Sequence, residues 1–98
     1  MIKIKIAKNR IEISGHAMYD DKGKDIVCAS VSSIVITSVN ALLRFDKNAL
    51  TYEEKNGYLK IEIVKPSKKS DTIISNMIDL LKELEKQYDK NIKIYEEV

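Results

Sequence analysis

The sequence has few of the residues that build disulfides and metal sites. Its 98 residues include one cysteine, Cys28, and one histidine, His16. A single cysteine cannot form an internal disulfide, so the fold needs no oxidising compartment and we expect a cytoplasmic protein. One cysteine and one histidine do not complete a metal shell at any known ligand spacing, so we expect no metal and no other cofactor.

The sequence also lacks a dominant charge, and we expect no targeting segment. Its 17 basic and 15 acidic residues give a net charge of +2, too weak a field to attract nucleic acid or a membrane surface. The N-terminal residues 1–13 alternate charge with isoleucine and lack the apolar run of a signal peptide. Residues 26–43 carry no charge and are long enough to span a membrane. Their hydroxyl side chains and Asn40 favour a buried helix of a globular protein instead.

Hydrophobic periodicity predicts seven structural elements. Alternation with period two predicts strands over residues 2–6, 10–14, 49–55, 58–65 and 92–95. Apolar residues at helical spacing predict a helix over residues 26–45, with Asp25 as its N-cap. A second helix should begin after Ser70 or Asp71 and end near residue 88. The dipeptide at residues 56–57, Asn-Gly, is a strong signal for a hairpin turn.

These elements fit one domain over residues 1–98. The order β-β-α-β-β-α-β predicts an α+β fold, a two-layer sandwich with a mainly antiparallel sheet and both helices on one face. The neighbour of the fifth strand does not follow from the sequence. The first helix has a wide apolar arc with Phe45 near its centre, which either a dimer interface or the second helix would cover.

Candidate chemistry is concentrated in residues 15–32, GHAMYDDKGKDIVCASVS. If Asp25 caps the helix, Cys28 lies in the first turn, where unpaired amides and partial positive charge favour a thiolate. That effect alone is too small for strong activation, and His16 is the only imidazole that can add to it. The pattern therefore predicts a thiol–imidazole catalytic site with Cys28 as nucleophile.

Other residues of this stretch have possible supporting roles. Asp25 caps the helix, orients the His16 ring, or opposes thiolate formation by its own charge; we favour capping. Ser32 lies one turn beyond Cys28, and its hydroxyl is a possible donor to the thiolate or to an oxyanion. Main-chain N–H groups at Cys28 and its neighbours are the favoured oxyanion donors. The composition of residues 16–24 predicts a mobile loop. Gly15 and Gly23 would act as hinges that let this loop close over a bound substrate.

Three other interpretations compete with catalysis. A lone cysteine in an apolar helix is more often a small core residue than a nucleophile. The slight basic excess at Lys3, Lys5, Lys60 and Lys93 would suit a noncatalytic ribosome- or RNA-associated binding module using its sheet face. A redox thiol sensor is the weakest alternative, because the chain has no resolving cysteine.

The same stretch resembles the ribosomal-processing cysteine protease family (Prp). The motifs are Gly-His-Ala at residues 15–17, a glycine at residue 23, and Asp-Ile-Val-Cys-Ala at residues 25–29 before a serine-containing helix. This chain has Ser30 where the family usually has alanine. The resemblance also covers chain length and element order.

The resemblance implies a small bacterial homodimer without membrane association or a direct need for nucleic acid. Its substrate would be the N-terminal peptide of a large-subunit ribosomal protein, removed by cleavage after an aromatic pair and before alanine. Cys28 would be the nucleophile and His16 the base and proton donor. Asp25 and Ser32 would support them, and no cofactor is implied.

Overall fold

The computed structural model describes residues 1–21 and 24–97 and contains the elements in the predicted order. The strands are β1 (Ile2–Ala7), β2 (Arg10–Ser14), β3 (Leu50–Lys55), β4 (Tyr58–Ile63) and β5 (Ile92–Glu96). The helices are α1 (Ile26–Phe45) and α2 (Lys68–Gln87). The predicted α+β fold is confirmed.

The five strands form one sheet in the order β3-β4-β2-β1-β5. Three of the four strand pairs are antiparallel, and β5 lies parallel to β1 with Ile94 opposite Ile4. A parallel neighbour requires a crossover connection, which α2 provides between β4 and β5. This crossover brings the start of β5 beside the N-terminus of the chain, where the Ile2 N–H donates to the Asn91 carbonyl.

The core lies between one face of the sheet and the two helices. Alternate strand residues point into it, and the fully buried side chains include Ile4, Ile61 and Ile92 from the sheet, Val27 and Val35 from α1, and Met77 and Leu81 from α2. Burying each such side chain is worth about 1.5–3 kcal/mol. Helix α1 has the length and hydropathy of a membrane span, and six of its residues are buried in the protein.

The second helix begins earlier than predicted. Ser67, not Ser70 or Asp71, is the N-cap, because Ser67 and Ser70 form a reciprocal capping box. Ser70 is therefore inside the helix and buried. Phe45, predicted near the centre of the buried arc of α1, is 60% exposed at the helix end, where the Lys69 ammonium lies 4.7 Å from its ring centroid.

Candidate active site

The candidate catalytic residues meet at the N-terminal end of α1, beside the end of β2 and the β3–β4 turn. Two adjoining clefts, with volumes of about 170 and 470 Å³, lie in this region. His16, Cys28 and Ser32 line both of them. The larger cleft also contacts Asp25. The fold thus brings together the four side chains that the sequence selected.

Asp25 joins the start of α1 to the preceding loop. Its Oδ1 accepts hydrogen bonds from the N–H groups of Val27 and Cys28, both at 3.0 Å. Its Oδ2 accepts from the N–H of Tyr19 at 3.0 Å and of Asp20 at 3.4 Å. Burial raises the pKa of Asp25, but these four donors together outweigh it and lower that pKa below its usual value. The carboxylate is therefore both a helix cap and a loop anchor.

Because Asp25 caps the helix, the main-chain N–H groups expected to bind an oxyanion already have hydrogen-bond partners. The N–H groups of Val27 and Cys28 already donate to Asp25, and the N–H of Ala29 donates to the Asp25 carbonyl. A developing oxyanion would have to displace or share one of these bonds. The Ser32 hydroxyl lines both clefts and lies on the same helix face as the sulfur.

Cys28 is half-buried, and its sulfur has a main-chain hydrogen-bond donor. The Ala17 N–H points at Sγ, with nitrogen and sulfur 3.3 Å apart. Ala17 is 1% exposed, so its methyl group is packed into the protein. Within residues 1–21 and 24–97, no hydrogen bond joins Cys28 to His16. Catalytic hydrogen bonds often form only in the substrate complex, so the absence of this bond does not exclude the pair.

His16 is exposed and lies against the β3–β4 turn. An added Cβ at Gly57 would be 3.1 Å from Nε2 of His16, so the ring occupies space left open by this glycine. The Gly15 N–H donates to the Gly57 carbonyl at 2.9 Å, which joins the end of β2 to the same turn. The sequence pattern identified residues 56–57 only as a hairpin turn. It did not predict that Gly57 lies beside His16.

Gly15 has a structural requirement of its own. Its φ is +88°, and an added Cβ would lie 2.3 Å from the Met1 carbonyl oxygen. The positive φ and the close approach of the Met1 main chain each favour glycine at this position. Glycine is therefore needed here whether or not residue 15 acts as a hinge. Gly23, the other predicted hinge, lies outside the described residues. The hinge roles of both glycines stay predictions.

The turn between α2 and β5 also contacts the loop that follows His16. Asn91 Nδ2 donates to the Ala17 carbonyl at 2.9 Å. The Tyr19 and Tyr88 rings pack edge to face with centroids 5.4 Å apart. Asn91 is 74 residues from Ala17, so no local pattern in the sequence indicated this contact.

The donor set of the site fits thiol and imidazole chemistry. Among the described residues, no three His, Cys, Asp or Glu side chains are placed to hold a metal ion. Cys28 carries a thiol and His16 an imidazole, and both side chains line the same clefts. These are the two functions required for acyl transfer through a thioester.

Sequence comparisons agree with this chemistry. A profile of the family described as cysteine protease Prp matches residues 1–93. The ribosomal processing cysteine protease Prp of Mycoplasma pneumoniae is 37% identical over 94 residues, covering 94% of this chain and 91% of that protein. Its Staphylococcus aureus counterpart is 31% identical over 85 residues, covering 84% of this chain and 80% of that protein.

A comparison of folds gives the same result. The S. aureus ribosomal processing protease Prp, solved with a covalently linked product peptide, superposes with a TM-score of 0.93 at 25% identity. The match covers 99% of this chain and all of the S. aureus chain. SMU.848 from Streptococcus mutans matches with a TM-score of 0.71 at 26% identity, over 97% of this chain and 90% of that one. The chain belongs to the Prp family and is a cysteine protease.

Proposed function

We propose that this protease removes the N-terminal extension of a large-subunit ribosomal protein in the cytoplasm, as a single domain and a homodimer. Cys28 is the nucleophile and His16 the general base and acid. The observation that carries the assignment is that both side chains line the same two clefts at the start of α1. Relatives named ribosomal processing proteases, one solved with a covalently linked product peptide, support the substrate class.

The proposed reaction has two steps. The Cys28 thiolate attacks the scissile carbonyl carbon, a C–S bond forms, and one electron pair moves onto the carbonyl oxygen. His16 gives its proton to the amide nitrogen, the C–N bond breaks, and the new amine leaves a thioester behind. Water then attacks the thioester and gives a proton to His16, and the sulfur leaves with the bonding electrons.

Four residues support this reaction without exchanging protons. Asp25 fixes the first turn of α1 relative to the loop, through its bonds to Cys28 and Tyr19. Ser32 supplies a hydroxyl that donates to the oxyanion, because the nearest helix amides are already bonded to Asp25. Gly15 and Gly23 flank the loop that closes over the peptide.

The smaller cleft suits a substrate with aromatic side chains. Its lining includes apolar side chains from four elements: Ile2, Ile13, Val31, Val35 and Leu59. Tyr58 also lines it and offers a ring for stacking. If an aromatic pair precedes the cleaved bond, its rings would be buried in this cleft. The carbonyl of the second aromatic residue, which belongs to the cleaved bond, would then lie near Cys28.

The proposed homodimer would use the side of α1 next to β3. Ile36 and Tyr52 are exposed there, at 45% and 38%. Ile36 and Tyr52 line a groove of about 290 Å³ between the helix and the edge strand. Burial of these side chains against a second copy would cover the apolar surface that α2 leaves open.

The structure does not favour the alternative of a noncatalytic RNA-binding module. Lys60 on the outer sheet face pairs with Glu62 at 3.2 Å and with Glu53 at 3.5 Å. Lys5 lies opposite Glu12 in the β1–β2 register. The face therefore carries mixed charges, whereas phosphate binding requires a basic patch.

Cleavage of a peptide with an aromatic pair before alanine tests the proposal. Both Cys28→Ala and His16→Ala should lower kcat/KM by at least about a thousandfold, because each removes one partner of the pair. Ser33→Ala, an exposed change on the same helix, is the control and should keep full activity. Undiminished turnover in either test variant would reject the assignment. Salt-dependent RNA binding by Cys28→Ala would instead support the binding module.

A further inference from the structure

Asn91, between α2 and β5, has a main chain that is fixed on both sides. Its N–H donates to the Tyr88 carbonyl at 2.8 Å, and its carbonyl accepts from the Ile2 N–H at 2.8 Å. Its φ is not positive, so the backbone conformation does not require asparagine. The contact that uses the asparagine side chain is the hydrogen bond from Nδ2 to the Ala17 carbonyl, at 2.9 Å.

Ala17 is in turn held by three contacts of different kinds. Its side chain is buried at 1% exposure, its carbonyl accepts from Asn91, and its N–H points at the Cys28 sulfur. The carbonyl and the N–H flank the same Cα. The two peptide planes meet at this Cα, so a displacement of the Ala17 main chain would move both groups.

We propose that Asn91 is a positioning residue for the reaction at Cys28, and that it acts through the main chain of Ala17. This inference rests on the proposed role of Cys28 as nucleophile. By holding the Ala17 carbonyl, Asn91 keeps the N–H aimed at Sγ. A hydrogen bond to an ionised group is about twice as strong as a neutral one, so this N–H would stabilise negative charge on the sulfur.

A second contact shows that the α2–β5 turn as a whole braces this loop. Tyr88, at the start of that turn, packs edge to face against Tyr19. Tyr19 also donates its N–H to Asp25, so the loop is held from the helix side as well. Asp25 and the aromatic pair would keep the loop in place without Asn91. The loss of Asn91 should therefore alter the Ala17 main chain locally rather than release the whole loop.

The test is the rate of iodoacetamide alkylation of Cys28 as a function of pH, which labels one site because the chain has one cysteine. Asn91→Leu removes the N–H donor and introduces no charge. The titratable groups that line the two clefts with Cys28 are His16, Asp20, Asp25, Glu54, Lys55 and Tyr58, and all are unchanged in this variant. Asn76→Leu, the same change at an exposed position of α2, is the matched control.

We expect Asn91→Leu to be alkylated about fivefold to tenfold more slowly than wild type near pH 7, and at the same rate at high pH, where every thiol is ionised. Asn91→Gln keeps the amide donor and should recover part of the rate. In peptide cleavage, kcat should fall while KM changes little. Asn91→Ala gives the same measurement without steric bulk if the leucine variant does not fold.

Two results would overturn the inference. One is an alkylation profile for Asn91→Leu that matches those of wild type and Asn76→Leu. The other is an equal slowing at every pH, which would indicate altered access to the sulfur rather than a lost donor. The alkylation assay does not depend on peptidase activity. A failure of the proposed nucleophile would appear instead as cleavage by Cys28→Ala.

Discussion

The imidazole of His16 occupies space that exists because residue 57 has no side chain. An added Cβ at Gly57 would lie 3.1 Å from Nε2 of His16, tighter than an ordinary van der Waals contact. The β3–β4 turn therefore sets the position of the ring, although it is distant in sequence from the stretch that contains the candidate nucleophile. This contact makes residue 57 a test of how precisely the histidine must be placed.

Gly57→Ala should lower kcat/KM by between about tenfold and a hundredfold, because it displaces the imidazole from its place in the cleft. It should also cost about 1 kcal/mol of folding stability, since Gly57 has a φ of +72°. Asn9→Ala is the control, because Asn9 has a φ of +60° in the β1–β2 turn and does not line the clefts. Equal activity losses in the two variants would assign the effect to turn strain instead.

Asp25→Asn should separate the two structural functions of this carboxylate. The amide keeps an oxygen that accepts from the Val27 and Cys28 N–H groups, but its nitrogen cannot accept from Tyr19. We expect stability close to wild type and a clear loss of kcat/KM. Asp25→Ala removes the cap too and should cost about 1 kcal/mol in urea unfolding. If Asp25→Asn keeps full activity, the bond to the loop is not needed for catalysis.

The stability of the protein should fall in acid partly through Asp25. Its pKa is lowered from the usual 3.8 in the folded state because backbone donors favour the ionised form. The folded protein thus binds this proton less readily than the unfolded chain does. Its stabilising contribution is complete above the unfolded pKa and is lost as the pH falls through the folded pKa. The difference in unfolding free energy between wild type and Asp25→Ala, from urea titrations, should shrink below about pH 4. A constant difference would contradict this linkage.

Ser32→Ala tests whether the Ser32 hydroxyl stabilises the oxyanion. Removing one such donor typically lowers kcat by about a hundredfold to a thousandfold, with little change in KM. Ser33→Ala is the matched control, because it makes the same change at the next exposed position of α1. Wild-type kcat in Ser32→Ala would mean that a helix amide leaves Asp25 to serve the oxyanion.

Local patterns predicted the elements well where one signal dominated. The bounds of β2 and α1 agree with the prediction, because alternating isoleucines and the Asp25 cap give clear starts and ends. The predicted start of α2 was wrong because Ser67, Ser70 and Asp71 are all suitable N-cap residues. The reciprocal hydrogen bonds between Ser67 and Ser70 make Ser67 the N-cap. The predicted burial of Phe45 was wrong because Phe45 is the last residue of α1, where its ring is exposed beside Lys69.

The sequence by itself determined the order of elements and the Asp25-capped start of α1, because these depend on residue type and short spacing. It also made His16 the candidate partner of Cys28. Only the tertiary structure decided that β5 lies parallel to β1. It alone decided that Gly57 adjoins His16 and that Asn91 holds Ala17. Contacts between residues far apart in the chain arise from how the whole core packs. The side chains that make them follow no periodic pattern along the sequence.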